Sequence, residues 1–164
     1  MNIFNKQALL KNSRELIRKH GWMGTTLQFE DKITSYTYSI GLSKTLKHPE
    51  IFIVGAGDHR LRLELINAFG RMLKSAGFPE PSSYVDLPDF RNTFALGPVI
   101  PQEEVRPHAR FGTELLGKPF SAIQLYLPDP NGLFPWDEGV HPVYRAAQTL
   151  LFEAPAAMLK PNAN

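Results

Sequence analysis

Five side chains in two separate segments of this chain could together carry out chemistry. His48 and Glu50 lie close together in the first half, and Asp129, Trp136 and Asp137 belong to the segment LPDPNGLFPWDEG. An imidazole with carboxylates suits a metal ion or a general acid–base pair, and an indole can hold an amine-bearing ligand. These five residues are the candidate ligand-binding site; none is assigned as catalytic, and no complete metal-ligand set is identified.

The same side chains also have structural interpretations, which the sequence favours. Pro49 restricts His48 to an extended conformation, so the two can form a stable turn that leaves Glu50 in solvent. Asp129 is typical of a Pro-Asp turn, where its carboxylate accepts from backbone N–H groups. Trp136 is typical of a residue that fills a hydrophobic core.

The elements that must position these residues are clearest in the first half. Alternating apolar and polar residues predict a β-hairpin over about residues 25–42. The uninterrupted apolar run 51–54 predicts a central strand covered on both faces. Asp58 and His59 follow that strand at its far end, about 17 to 20 Å from His48 and Glu50. This separation argues against one metal site built from both pairs.

Helical spacing predicts a helix from Asn5 to His20 and a second from Asp58 to Ala76, which Asp58 caps and Gly77 ends. The second half is richer in proline and glycine. Its predicted elements are an extended piece at 84–87, a strand at 92–100 broken by Gly97-Pro98 at an edge or bulge, a helix from Pro107 to Gly117, a strand at 120–127 and a last helix at 143–152.

These patterns predict one α+β domain over residues 1–153. Its sheet is mainly antiparallel with about five strands, and the long helix packs on one face. Residues 154–164 lack periodicity, so they are predicted to form a flexible C-terminal tail.

Composition excludes several classes of function. The chain has 164 residues, is 43% hydrophobic and carries a formal net charge of +2. No block of lysine and arginine stands out, so there is no strong nucleic-acid signal. The absence of cysteine excludes disulfides, thiolate metal sites and cysteine catalysis. No secretory signal or membrane-spanning run is recognised, and a soluble cytoplasmic protein is expected.

A second group of residues is basic and could bind an anion. Arg91, Arg106, His108 and Arg110, with a helix start near Pro107, could hold a phosphate or a carboxylate. The alternative, which we favour, is a solvated surface.

Two other patterns carry little chemistry. The stretch from Gly55 to Gly57 lacks the third glycine of a dinucleotide fingerprint and the lysine of a P-loop, so it indicates a tight strand-to-helix turn. The chain has no Gly-x-Ser-x-Gly motif for a serine nucleophile.

Two motifs together are similar to those of a known family. YSIGL at 38–42 with HPE at 48–50, and QLYLPDPNGLFPWDEG at 124–139, resemble the motifs of the bacterial family called domain of unknown function 4262. The resemblance covers about residues 17–151. Ser39 stands where the family usually has threonine, and Gln148 is followed by Thr149 where the family tends towards proline. The resemblance implies a bacterial or phage setting and a small stand-alone domain, without a known cofactor, substrate or catalytic residue.

Two hypotheses for function follow. The first is a binding module that regulates or neutralises a partner protein, with an exposed apolar patch around Leu133, Phe134 and Trp136. The alternative is a small enzyme or ligand-binding protein, in which His48, Glu50 and the two aspartates converge in a pocket. The sequence identifies no substrate, cofactor, partner or oligomeric state, and leaves open whether the protein is an enzyme.

Overall fold

The computed structural model describes residues 2–28, 35–55 and 58–148. In this part of the chain, six strands form one sheet in the order β1-β2-β3-β6-β5-β4. The strands are β1 (Met23–Gln28), β2 (Ser35–Ile40), β3 (Glu50–Val54), β4 (Tyr84–Asp86), β5 (Thr93–Leu96) and β6 (Ala122–Tyr126). The helices are α1 (Ile3–His20), α2 (Leu42–Thr45), α3 (His59–Ala76), α4 (Gln102–Val105), α5 (Arg110–Leu116) and α6 (Pro142–Ala147). No described helix is long and apolar enough to span a membrane.

The sheet is mixed and mostly antiparallel, which confirms the predicted α+β class. β1 and β2 form the predicted hairpin, and β3 is buried along its whole length. Only the pairing of β3 with β6 is parallel among the described strands. The sequence patterns predicted both strands but not this pairing, because an apolar run does not specify its neighbour.

Helix α3 covers one face of the sheet, which we call the first face. The side chain of Asp58 accepts a hydrogen bond from the Leu61 N–H group at 2.8 Å, so the predicted cap is confirmed. One side of α3 packs on alternate residues of the central strands. The buried residues are Leu65, Phe69, Met72 and Leu73 of α3 and Ile51, Ile53, Ile123 and Leu125 of β3 and β6.

The opposite, second face carries a row of aromatic rings under α1 and α5. Tyr38 stacks on Phe52 with 4.8 Å between ring centroids, and its hydroxyl accepts from the Gly112 N–H group at 3.0 Å. A Cβ at Gly112 would lie 2.9 Å from the Tyr38 ring, so glycine lets α5 approach the sheet. Further along, Ala95, Tyr126 and Phe134 form a separate small cluster with Trp136 packed against it.

The second half departs from the sequence prediction in detail. The strand predicted at 92–100 ends at Leu96, and Ile100 forms only an isolated bridge with Ala122. Gly97-Pro98 interrupts it as predicted, but β5 is an inner strand, and β4 lies at the edge instead. The last helix ends at Ala147; residues 149–152 and the predicted tail at 154–164 lie outside the described residues.

Candidate functional site

Glu50 holds helix α2 in place. Its side chain is completely buried and accepts hydrogen bonds from the backbone N–H groups of Gly41, Leu42 and Ser43 at 2.8, 3.2 and 3.0 Å. The Ser43 hydroxyl donates to it at 2.8 Å, and the Ser39 hydroxyl at 2.5 Å. These contacts satisfy the first N–H groups of a short helix, so the expectation that Glu50 is solvated was wrong.

The Glu50 carboxylate has little capacity left for a ligand. The Ser39 hydroxyl donates to Glu50, since an ionised carboxylate can only accept, and its oxygen accepts from the Ile51 N–H group at 2.9 Å. Burial raises the pKa of Glu50, and the hydrogen bonds from Ser39, Ser43 and Gly41 oppose that rise. The motif YSIGL with HPE therefore builds a closed set of contacts between β2, α2 and β3.

His48 packs on the first face of the sheet. Its ring lies 5.4 Å from that of Phe69 and 5.0 Å from that of Phe78, measured between centroids. Nδ1 lies 2.7 Å from the Pro49 carbonyl oxygen, which assigns the proton to Nδ1. Burial lowers the pKa of His48, so the ring is neutral at pH 7.

Asp129 organises the loop after β6. One carboxylate oxygen accepts from the N–H groups of Asn131 and Leu133, both at 2.9 Å, and the other accepts from His141 at 2.9 Å. Burial raises the pKa of Asp129, but the bonds from His141, Leu133 and Asn131 outweigh it, and the pKa lies below its usual value. The predicted turn role of Asp129 therefore has direct support.

Asp137 and Trp136 close the same loop. Asp137 accepts from the Phe134 N–H group at 2.8 Å through one carboxylate oxygen. The Trp136 ring stacks on Phe134 at 5.4 Å and lies edge-on against Tyr126 at 4.9 Å. Of the three residues expected in an exposed apolar patch, Phe134 is only 5% exposed, whereas Leu133 and Trp136 are partly exposed.

The five candidate residues do not form one pocket. Tyr126 alternates with the first-face residue Leu125, so Trp136 packs on the second face, whereas His48 packs on the first. Within residues 2–28, 35–55 and 58–148, no group of three or more histidines and carboxylates could hold a metal ion. Ligand binding by these five together stays a prediction.

The four basic candidates divide into two groups. Arg106, His108 and Arg110 lie on one segment, where the carbonyl of His108 accepts from the Tyr36 hydroxyl at 2.8 Å. Arg91 precedes β5, three strand spacings or about 14 Å from β2. The three arginines are exposed, which agrees with the alternative of a solvated surface. Anion binding by these residues stays a prediction.

Gly55 explains part of the glycine-rich turn after β3. Its φ is +62°, and a Cβ there would lie 1.6 Å from the Ala147 carbonyl oxygen. Gly55 therefore permits the close approach of α6. Residues 56–57 of the same turn lie outside the described residues.

Two buried glutamines were missed by the sequence analysis. The Gln148 side chain bonds both backbone groups of Leu127, at 2.8 Å to the N–H and 2.7 Å to the carbonyl oxygen. It thereby continues the ladder of β6 by one residue. Gln124 projects from the second face in the middle of β6 and is 1% exposed. The available signal for Gln124 was an amide side chain in the middle of the strand predicted at 120–127.

Comparison with known proteins gives one match. The family model described as "Domain of unknown function (DUF4262)" matches residues 16–141, more than three quarters of the chain. Neither the search of curated proteins nor the search of solved structures returned a match.

Proposed function

This chain belongs to the DUF4262 family of unknown function, and from that premise we propose that it is a binding module for a partner protein. The binding surface in this proposal is the outer edge of β1, where an extended segment of the partner adds a strand to the sheet. The observation that carries the proposal is a six-residue edge strand with no charge, proline or bulge. We also propose that the protein is bacterial, as the family resemblance implies, and that it acts in the cytoplasm, in keeping with its lack of cysteine.

The register of the hairpin identifies the backbone groups that point outward. Gly55 donates to the Ser35 carbonyl, so Ser35 and every second residue after it direct their backbone groups towards β3. The intervening residues of β2 therefore bond β1, through its residues 23, 25 and 27. Gly24, Thr26 and Gln28 are left with their N–H and C=O groups directed away from the sheet, and no described strand pairs with them.

The other edge of the sheet is protected by contrast. Strand β4 has only three residues and ends with the charged Asp86. Prolines at positions 79, 81 and 88 flank it closely. Short length, charge and proline are the features by which natural sheets discourage strand addition, and β1 has none of them.

Helix α1 provides exposed apolar side chains beside this edge. Leu9 and Leu16 are 42% and 45% exposed. Beside the start of β1 is a cleft of about 460 Å³, which is lined by Leu16, His20, Trp22, Met23, Asn67 and Arg71. The exposed leucines and the apolar part of the cleft favour an apolar segment of the partner, because contact removes both apolar surfaces from water.

The basic side of α1 points elsewhere. Lys6 forms an ion pair with Glu114 of α5 at 3.0 Å, and Arg14 and Arg18 line a different cleft that includes Glu114. These three cationic residues of α1 therefore lie outside the cleft beside β1.

The test is site-specific photo-cross-linking from Gln28 in cells, followed by binding measurements with the purified partner. Thr26→Pro removes one outward N–H, and Thr26→Lys places a charge on the edge. Each should weaken binding at least tenfold, or about 1.4 kcal/mol. Gln102→Lys on the exposed surface of α4 is the matched control and should leave the affinity unchanged.

Thermal unfolding of each variant separates loss of binding from loss of folding. A partner that cross-links from Gln102 and not from Gln28, or that binds Thr26→Pro as tightly as the natural chain, would contradict the proposal.

The alternative function, an enzyme or ligand-binding protein with a pocket of histidine and carboxylates, has weaker support. Glu50 and Asp129 both use their carboxylates to bind backbone N–H groups. Native mass spectrometry with elemental analysis would support this alternative if a stoichiometric metal or small molecule were found and lost in His48→Ala.

A further inference from the structure

Three cationic side chains line one open cleft between α1, α2 and α5. The cleft has a volume of about 460 Å³. Its lining residues are Arg14, Ile17 and Arg18 of α1, Lys44 of α2, and Glu114, Leu115, Leu116 and Gly117 at the end of α5. Arg14 and Arg18 are four residues apart, so they project from the same side of their helix. The cleft therefore has room for a ligand directly beside these positive charges.

The positive charge of the cleft is not neutralised within the described part of the chain. Neither Arg14 nor Lys44 forms an ion pair with a described residue. The carboxylate in the lining, Glu114, is paired with Lys6 at 3.0 Å. Cations that share a cleft repel one another, so an anion bound between them is stabilised by both.

Helix α1 concentrates positive charge on this part of the protein. It contains five lysine and arginine residues and one glutamate, so its formal charge of +4 exceeds the +2 of the whole chain. The rest of the chain is therefore net negative, and an anion is attracted towards α1. The glutamate, Glu15, forms an ion pair with Arg18 that is exposed to solvent, and a pair of this kind is weak enough for a ligand to compete with it.

Contacts at both ends of α2 fix the backbone position of Lys44. The Glu50 carboxylate accepts from the backbone N–H groups at the start of this helix. At its end, the Thr45 hydroxyl donates to the carbonyl oxygen of Gly21, the residue that follows α1, at 2.7 Å. The backbone that carries the third cation is therefore already in place before a ligand binds, which lowers the cost of binding.

The inner wall of the cleft is apolar. Ile17 and Leu115 are 6% and 5% exposed, and Leu116 is partly buried against the same core. The three cations are exposed, so they surround the opening of the cleft. Hydrocarbon groups gain free energy when they leave water for such a wall, whereas a small inorganic ion does not. The lining therefore suits a ligand with an anionic group at one end and an apolar group at the other.

We propose that this cleft binds a soluble phosphate monoester whose alcohol part is apolar. At neutral pH such a phosphate carries between one and two negative charges and three acceptor oxygens, which suit two guanidinium groups and an ammonium group. A phosphate is favoured over a carboxylate because the lining contains three cations and one carboxylate. The site lies on a different side of α1 from the cleft beside β1 and does not depend on the function proposed for that edge.

The test is a titration with 1-naphthyl phosphate at neutral pH, followed by ¹H–¹⁵N correlation spectra. Two analogues separate the parts of the probe, because 1-naphthol lacks the phosphate and inorganic phosphate lacks the apolar part. We expect 1-naphthyl phosphate to shift the amide signals of residues 14–18 and 114–117 saturably, with a dissociation constant on the order of 1 mM. Each analogue should bind about tenfold more weakly, and added sodium chloride should weaken binding of the probe.

Three variants assign the site, and each changes only exposed side chains. Arg14→Gln combined with Lys44→Gln removes the two cations without an ion pair and should weaken binding about tenfold. Glu114→Gln removes the carboxylate from the lining and should tighten binding about threefold. Arg60→Gln on the exposed surface of α3 is the matched control and should leave the affinity unchanged. Thermal unfolding shows that each variant is folded.

A phosphate on an apolar body also occurs at membrane surfaces, so vesicles provide a separate comparison. The vesicles contain phosphatidylcholine with or without phosphatidic acid. We expect the protein to remain in the supernatant with both, because the apolar wall is buried within the cleft. Sedimentation with phosphatidic acid that the double variant abolishes would assign the phosphate to a lipid headgroup and overturn the choice of a soluble ester.

Other results would overturn the proposal as a whole. If 1-naphthol or inorganic phosphate bound as tightly as 1-naphthyl phosphate, the cleft would not recognise both parts of the ligand. The site would be wrong if the double variant bound the probe as tightly as the natural chain, or if Glu114→Gln bound it no more tightly. Signal shifts that grew without saturation would mean nonspecific binding only.

Discussion

Replacing Glu50 by glutamine tests whether this carboxylate is a structural centre. Glutamine keeps one acceptor oxygen and puts an NH₂ group where the second oxygen was. In the less damaging orientation, the NH₂ faces the Leu42 N–H group and the Ser39 hydroxyl, both of which donate to Glu50. Two buried donors then lose their acceptor, at about 1 to 2 kcal/mol each, so we expect a loss of about 3 kcal/mol.

The assay is urea and thermal unfolding at pH 7, followed by far-ultraviolet circular dichroism. For a chain of this length, 3 kcal/mol corresponds to a fall in Tm of about 6 to 12 °C. Glu104→Gln makes the same chemical change on the exposed surface of α4 and should change stability by less than about 0.5 kcal/mol. If Glu50→Gln is as stable as Glu104→Gln, the donors around Glu50 do not depend on its charge and the reasoning fails.

The difference in stability between the natural protein and Glu50→Gln should depend on pH, which provides a second check. Burial raises the pKa of Glu50 above 4.5, so the folded state binds a proton more tightly than the unfolded state. The natural chain therefore loses stability from this group as the pH rises from about 4.5 through the folded-state pKa. The glutamine variant lacks this loss, so the difference in the free energy of unfolding between the two proteins should become smaller as the pH rises. A difference that becomes larger over that range would contradict the assigned direction of the pKa shift.

Two further predictions concern single residues. Burial lowers the pKa of His48, so its contribution to stability is complete above pH 6.5 and is lost as the pH falls from 6.5 through the folded-state pKa. His48→Phe should therefore reduce the loss of stability that unfolding curves show between pH 7.5 and 5. If the free energy of unfolding changes with pH as steeply in the variant as in the natural protein, His48 does not have this role. Gly55→Ala would place a Cβ 1.6 Å from the Ala147 carbonyl oxygen, whereas Gly132, at φ +80°, has open space around it. Gly132→Ala should cost about 1 to 2 kcal/mol of backbone strain, and Gly55→Ala clearly more; equal losses in denaturant unfolding would mean that α6 does not pack on Gly55.

Elements with a strong local pattern were predictable from the sequence. Helix α3 combines an aspartate cap, a helical apolar stripe and a terminal glycine, and its observed limits differ by one residue from those predicted. Strand β3 has four consecutive apolar residues and is buried on both faces. The alternation of apolar and polar residues along β2 likewise made the hairpin predictable, because it places the aromatic side chains on one face of the strand.

The role of Glu50 could not be predicted in this way. Three of its donors are backbone N–H groups, which every residue except proline carries, so no residue type marks them. The separation of His48 from Trp136 had a similar cause. It depends on which face of the sheet each segment covers, and this follows from the order of strands rather than from either motif.

The parallel pairing of β3 with β6 also determines how far apart in the chain the central contacts lie. Ile51 pairs with Ile123, so the middle of the sheet joins segments separated by about seventy residues. The pairs β1–β2, β2–β3 and β4–β5 each join strands that are neighbours in the chain. Closing a long loop is entropically costly and slow compared with forming a hairpin. We therefore expect the hairpins to form early in folding and the junction of β3 with β6 to limit its rate.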